Sequence, residues 1–168
     1  MELMTFVERA KTSGFYRWLL NVAFDRMVPF NGPHRFRVTE VGDEHVKTLL
    51  PYRRKNLNHV KGLHACALAT LTELTSGFLL ASKLDPKKFR LILKRLEIDY
   101  LYQGKMDAVC EFRLPDNKLS EAIINPLQNI ESIVFVAEVN IFDTKGNQLT
   151  SGKAHWQIKD WSKVKTKA

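Results

Sequence analysis

The stretch NHVKGLHACALATLTELTSG (residues 58–77) has one carboxylate, Glu73, set among small and apolar side chains. From residue 63 to 81 the only other titrating groups are His64 and the Cys66 thiol. The run is long and lacks strict alternation, so it reads as a helix over about 63–82. Helical neighbours lie three, four and seven positions apart, which surrounds Glu73 with Cys66, Ala69, Thr70, Ser76, Gly77 and Leu80. Leu63, Leu71, Leu74, Phe78 and Ala81 fill the remaining arc and suit a core contact. Glu73 thus rises from a stripe that leaves room for another group to approach it. A bare buried carboxylate is costly, so such a group is paired, hydrogen-bonded or functional.

The loop before this helix adds to the case. Gly62 permits a tight or left-handed backbone where the helix begins. The first amides of a helix have no internal partner and carry the positive end of its dipole. They can polarise a carbonyl or stabilise an oxyanion. Ala65 and Cys66 supply those amides, about 10 to 12 Å along the axis from Glu73 by helical rise. An acyl carbon fits between the two features. Asn58 reads either as a loop cap or as a group that orients substrate.

Outward from this helix the pattern changes twice. Residues 3–27 carry apolar positions at helical spacing, with an interruption expected at Ser13-Gly14 and a breaker at 28–33. Strands are expected over 34–41 and 44–52, divided by a turn at Gly42-Asp43. After Pro86 the period is two. Residues 91–102 place Ile92, Leu96, Ile98, Tyr100 and Tyr102 on one face, and 105–114 place Met106, Ala108, Cys110, Phe112 and Leu114 on another. Asp116 is expected to cap a short helix that runs to 124 and stops at Pro126. Strands over 132–143 and 148–156 follow, joined at Lys145-Gly146-Asn147. Long strands need a partner layer for their apolar face, and the mid-chain helix is the natural one. The expected class is α+β: an antiparallel sheet wrapped around one long helix, with an extra N-terminal helical segment. We read one domain, with 1–30 as that segment and 31–160 as the core.

Composition excludes several function classes. With 45% hydrophobic and 26% charged residues in 168, the chain is an ordinary globular protein. No uninterrupted apolar run approaches the ~20 residues that span a bilayer, and the first residues lack a signal-peptide pattern. The expectation is a cytoplasmic protein that is not embedded in a membrane. Cys66 and Cys110 have no paired-cysteine spacing and read as buried, reduced thiols, and no metal-ligand pattern is present. The net charge of +8 favours polyanionic partners, with basic residues clustered at 53–61, 83–90 and in the tail 159–168. No nucleic-acid-binding motif accompanies them, so nucleic acid is not the expected partner.

The residues quoted first also resemble a family. Asn58 lies six before His64, Gly62 two before it and Glu73 nine after it. This layout is similar to the hotdog-fold acyl-CoA thioesterases of the phenylacetate-pathway and 4-hydroxybenzoyl-CoA type. Their signature is an asparagine, a glycine, a His-Gly-Gly at the helix start, and an acidic residue nine after the histidine. The resemblance covers about residues 30–158, and the N-terminal helix resembles a divergent branch labelled as a domain of unknown function. It implies a homodimer or dimer of dimers that hydrolyses an acyl-CoA to acid and CoA, with no cofactor. It implies Glu73 as base or nucleophile, the Ala65 amide as the group polarising the carbonyl, and Asn58 as an orienting residue, with the site at a subunit interface. Substrate would meet Gly62, His64, Cys66 and Ser76, and the CoA phosphates would meet Arg53, Arg54, Lys61 and Arg90. Phe78, Leu80, Tyr100 and Tyr102 are candidates for shaping the acyl pocket, with core packing as their simpler role. Two departures stand out: Ala65-Cys66 replaces the two glycines, and the acid is Glu, where Asp is commoner. The alternative reading is a non-catalytic module of the same fold that binds an acyl ligand.

Overall fold

The computed structural model describes residues 3–163, with the side chains of Leu3, Met4 and Lys163 left aside. Residues 164–168 of the basic tail lie outside the described residues. The N-terminal segment is two helices, α1 (Leu3–Thr12) and α2 (Gly14–Met27). The break falls at Ser13, whose extended backbone caps α2 by accepting from the Tyr16 amide at 3.5 Å. Six strands follow: β1 (Arg37–Val41), β2 (His45–Leu50), β3 (Phe89–Tyr100), β4 (Ala108–Arg113), β5 (Ser132–Asp143) and β6 (Gln148–Asp160). The long helix α3 (Ala65–Lys83) lies between β2 and β3 in sequence.

All pairings are antiparallel, in the order β1-β2-β4-β5-β6-β3. The sheet curls around α3 in the hotdog arrangement. β5 shows why: from Val134 to Asp143 its residues alternate strictly between exposed and buried. The buried set includes Ala137, Val139 and Ile141, and the other strands add Val46, Leu50, Cys110, Ala154 and Ile158. These residues form one core with Leu68, Leu71, Leu79 and Leu80 of α3. Two polar contacts fix the rotation of the helix inside the sheet. Thr75 meets Thr48 of β2 at 2.6 Å, and Ser76 accepts from the Trp156 indole of β6 at 3.0 Å.

By length and composition α3 could cross a membrane, unlike the sequence expectation, but more than half of that span is buried within the fold. Three other local expectations are corrected. β1 begins at Arg37, three residues later than its apolar pattern implied, because 28–35 form turns in which Arg35 takes a φ of 55°. In β3 a bulge between Leu93 and Arg95 reverses the alternation, so Leu91 and Leu93 share the inner face with Leu96 and Ile98. Ile92, expected on that face, is instead 42% exposed. Finally, Pro126 does not end the short helix. Helix α4 (Asp116–Leu119), with Pro115 as its N-cap, passes through a wide π turn (Ser120–Ile124) into α5 (Asn125–Asn129). Pro126 falls within the first turn of α5, and the wide turn before it accommodates the missing amide hydrogen.

Candidate active site

Glu73 stands midway along α3 in the wall of a cavity of about 920 Å³. That cavity lies between α3 and the N-terminal helices, with β3 and β6 closing one side. Leu20, Ala23, Phe24 and Met27 of α2 face Thr70, Glu73, Leu74, Gly77, Phe78 and Ala81 of α3. Phe24 and Phe78 meet edge to face at 5.2 Å between centroids. Among the described residues Glu73 is the one ionisable residue in the wall. Its carboxylate has no ion pair or hydrogen bond among those residues, and burial raises it above the usual glutamate range. The stripe around it is as open as the spacing required. A Cβ on Gly77 would come within 2.7 Å of the Trp156 indole, so only glycine lets that ring pack one turn from Glu73.

The start of α3 forms a second, smaller recess of about 300 Å³, lined by Asn58, Ala65, Tyr100, Tyr102 and Gln103 among others. Its groups are pinned by local bonds. His64 caps the helix, its Nδ1 accepting from the Cys66 amide at 3.1 Å. The amides of Ala67 and Leu68 donate to the His64 carbonyl. Among the described residues the Ala65 amide alone in this turn has no acceptor. The Ala65 carbonyl accepts from the Tyr100 hydroxyl at 3.1 Å. Asn58 Oδ1 accepts from the amides of Val60 and Gly62 at 3.1 and 2.9 Å, so that oxygen is spent on holding the loop.

Several expected site residues therefore change role. Gly62 has an ordinary φ, and the left-handed residue is Lys61, with φ 58°. Glycine at 62 leaves space for the Gln103 side chain, whose Cγ would lie 2.7 Å from a Cβ there and would have to shift. Ser76 does not reach the cavity. It is fully buried and gives its hydroxyl hydrogen to helix carbonyls while accepting from Trp156, so its influence on the cavity runs through that ring. Cys66 is exposed, whereas Cys110 is buried and its thiol is pushed up to about 12 by burial. Arg53, Arg54 and Lys61 lie on the loop before α3, but Arg90 lies at the other end of the helix. There it stacks over Trp161 at 5.9 Å. Of the four residues suggested to shape an acyl pocket, Phe78 lines the large cavity and Leu80 is core. Tyr100 and Tyr102, half or more exposed, line the small recess. The contributions of α2 and Trp156 were not read from the sequence. The available signal was the apolar spacing of Leu20, Ala23, Phe24 and Met27, which an ordinary packing face also produces.

The model of the family described as "Domain of unknown function (DUF4442)" matches residues 16–158. The chain belongs to the DUF4442 family. The match begins inside α2, so the helix that walls the cavity falls largely within the family's domain. Comparison with curated protein sequences finds no match. Among solved structures, this DUF4442 chain resembles a Pseudomonas aeruginosa protein of unknown function described as "Probable Thioesterase". The TM-score is 0.78 at 22% identity, over 85% of this chain and 95% of that one. It also resembles a thioesterase from Haemophilus influenzae, with TM-score 0.68 and 9% identity over 90% and 95% of the two chains. A Chlorobaculum tepidum protein of unknown function aligns with TM-score 0.74 at 9% identity, over 89% and 98%. At these identities the likeness concerns the fold.

Proposed function

We propose that the chain is an acyl-CoA thioesterase in which Glu73 is the general base. The observation that carries the reading is a half-buried carboxylate, unpaired among the described residues, in the wall of a largely apolar cavity. Desolvation makes that carboxylate a stronger base, which brings it closer to the pH at which it must accept a proton. Glu73 takes a proton from water while the oxygen attacks the thioester carbonyl carbon. The carbonyl becomes an oxyanion held by the Ala65 amide, then reforms as the C–S bond breaks. The thiolate of CoA leaves and is protonated, giving a free acid and a thiol. The printed descriptions of two structural neighbours as thioesterases support the class of reaction.

Eight residues of helix separate Ala65 from Glu73, about 12 Å along the axis, which is too far for one reacting centre. The proposed enzyme is accordingly a homodimer or dimer of dimers, with amide and carboxylate supplied by different subunits. Asn58 then contributes its side-chain amide hydrogens, since its oxygen is committed to the loop. Arg53, Arg54 and Lys61 lie on the loop before α3 and would bind the CoA phosphates. Arg90 lies too far along α3 to join them within one subunit. A cytoplasmic location belongs to the same reading.

The test is hydrolysis of a panel of acyl-CoAs by wild type and by Glu73→Gln. The expected outcome is a fall in kcat of about 10² to 10⁴ with the fold intact, the usual contribution of a general base. Equal rates for the two proteins sink the proposal. Ligand binding without turnover in wild type marks the chain as a non-catalytic acyl-binding module.

A further inference from the structure

The large cavity has a direction. Phe24 packs on Phe78, and the chain after α2 returns to the start of α3, where His34 is bonded to Asn56 and Asn56 accepts from the His64 amide. Helices α2 and α3 therefore run antiparallel across the cavity. Met27 and Phe30, 74% and 59% exposed, lie toward the Thr70–Glu73 end and mark its mouth. Leu20 and Phe78, 1% and 5% exposed, close the depth with Ala81. Polar lining gathers toward the mouth, in Asn31, Thr70 and Glu73, while the depth offers no free polar group among the described residues.

Length then selects a ligand. From Glu73 to Ala81 the wall runs eight residues, about 12 Å. An extended chain advances about 1.2 Å per bond, so this depth takes about ten bonds. A single aromatic ring held by its carbonyl at Glu73 would reach only part of the way along that wall, and a ring hydroxyl would meet no free partner among the described residues in the depth. We infer that the cavity takes a straight, unsubstituted aliphatic acyl chain of about eight to twelve carbons, its carbonyl end at Glu73 and its tail between α2 and α3. For the catalysed substrate this rests on the thioesterase reading above, whereas the binding of the chain itself does not.

The experiment has a kinetic arm and a binding arm, both with the full chain. In the first, kcat/KM is measured for straight-chain acyl-CoAs from butyryl to hexadecanoyl and for benzoyl-CoA. Each methylene that enters the cavity should raise it by up to about fourfold, levelling near ten carbons. Ala81→Phe fills the depth, and the decanoyl-to-butyryl ratio should fall at least about tenfold, the loss of two or more buried methylenes. Ala23→Phe fills it from α2 and serves if the first variant does not fold. In the second arm, calorimetric titration with 1-decanol, which carries the same chain on a neutral head group, should show binding that either variant weakens. Hydrolysis that prefers benzoyl-CoA, or that ignores chain length in all three proteins, overturns the chain assignment and leaves the thioesterase reading standing. Decanol binding that the variants weaken, with no hydrolysis of any acyl-CoA, upholds the chain assignment and removes the thioesterase reading. Absence of decanol binding to wild type overturns the assignment.

Discussion

The start and the middle of α3 solve opposite electrostatic problems on one helix. At the start, nearly every polar group has a local partner: His64 caps Cys66, Asn58 holds two loop amides, and Tyr100 holds the Ala65 carbonyl. Among the described residues the Ala65 backbone amide and the Asn58 side-chain amide hydrogens are donors without an acceptor. Among the same residues the Glu73 carboxylate is an acceptor without a donor, although the chain is rich in lysine and arginine. A fold under selection for stability alone would pair or replace that charge. In the proposed function the rigid donor and the desolvated base are complementary parts of one acyl-transfer site, supplied by different subunits.

Two substitutions can break this complementarity from either side. Glu73→Gln has the largest expected effect, a fall in kcat of about 10² to 10⁴. Its pH profile sharpens the point. Wild-type activity should rise through a pKa above the ordinary glutamate value, because only the ionised base works. The second is Ala65→Pro. Proline is favoured at the first helical position, and the extended His64, with φ −69° and ψ 136°, suits a residue before proline. The variant deletes one N–H and spares the helix, so kcat should drop about 10² to 10³ with little change in melting temperature. Unchanged kcat in Ala65→Pro removes the amide from the mechanism and leaves Glu73 untouched.

The two regions also differ in how readable they were. The isolation of Glu73 follows from helical spacing, and spacing survives folding, so its cavity position was foreseeable from Thr70, Gly77 and the absence of nearby charge. The loop was harder. Both Gly62 and Asn58 are compatible with several roles in sequence, and only coordinates show that Gly62 yields space to Gln103 while Lys61 carries the strained φ. In β3 a single extra residue inverted the faces of the strand, and no residue type announces such a bulge. The far wall of the cavity comes from α2, nearly fifty residues upstream, and a local period cannot say against what an apolar face will pack.

Ser76 tests whether the cavity wall is held from behind. Removing its hydroxyl in Ser76→Ala leaves the Trp156 indole N–H buried without its acceptor, at a cost of about 1 to 3 kcal/mol. Urea denaturation should show the loss, and kcat should fall far less than in the two variants above. A kcat loss equal to that of Glu73→Gln, in a protein of unchanged stability, would return Ser76 to the substrate-contacting role from which its burial excludes it.

The smallest effect concerns the stability cost of the bare carboxylate itself. Burial raises the Glu73 carboxyl in the folded chain, so the folded state holds that proton more tightly than the unfolded chain does. Its contribution to stability is therefore fully present below the unfolded glutamate pKa of about 4.3 and is lost as pH rises through the higher folded value. At neutral pH wild type carries a partly desolvated charge that Glu73→Gln does not. The variant should melt higher than wild type at pH 7, and the gap should close toward pH 4. Glu40, held down to about 2 by His45 and Lys47, loses stability in the opposite direction as acid is added. That loss is common to both proteins and cancels in their difference. A gap that is constant from pH 4 to 7 would mean that glutamine gains by packing rather than by discharge. Glu73 would then not be the strained base that the contrast between the two ends of the site requires.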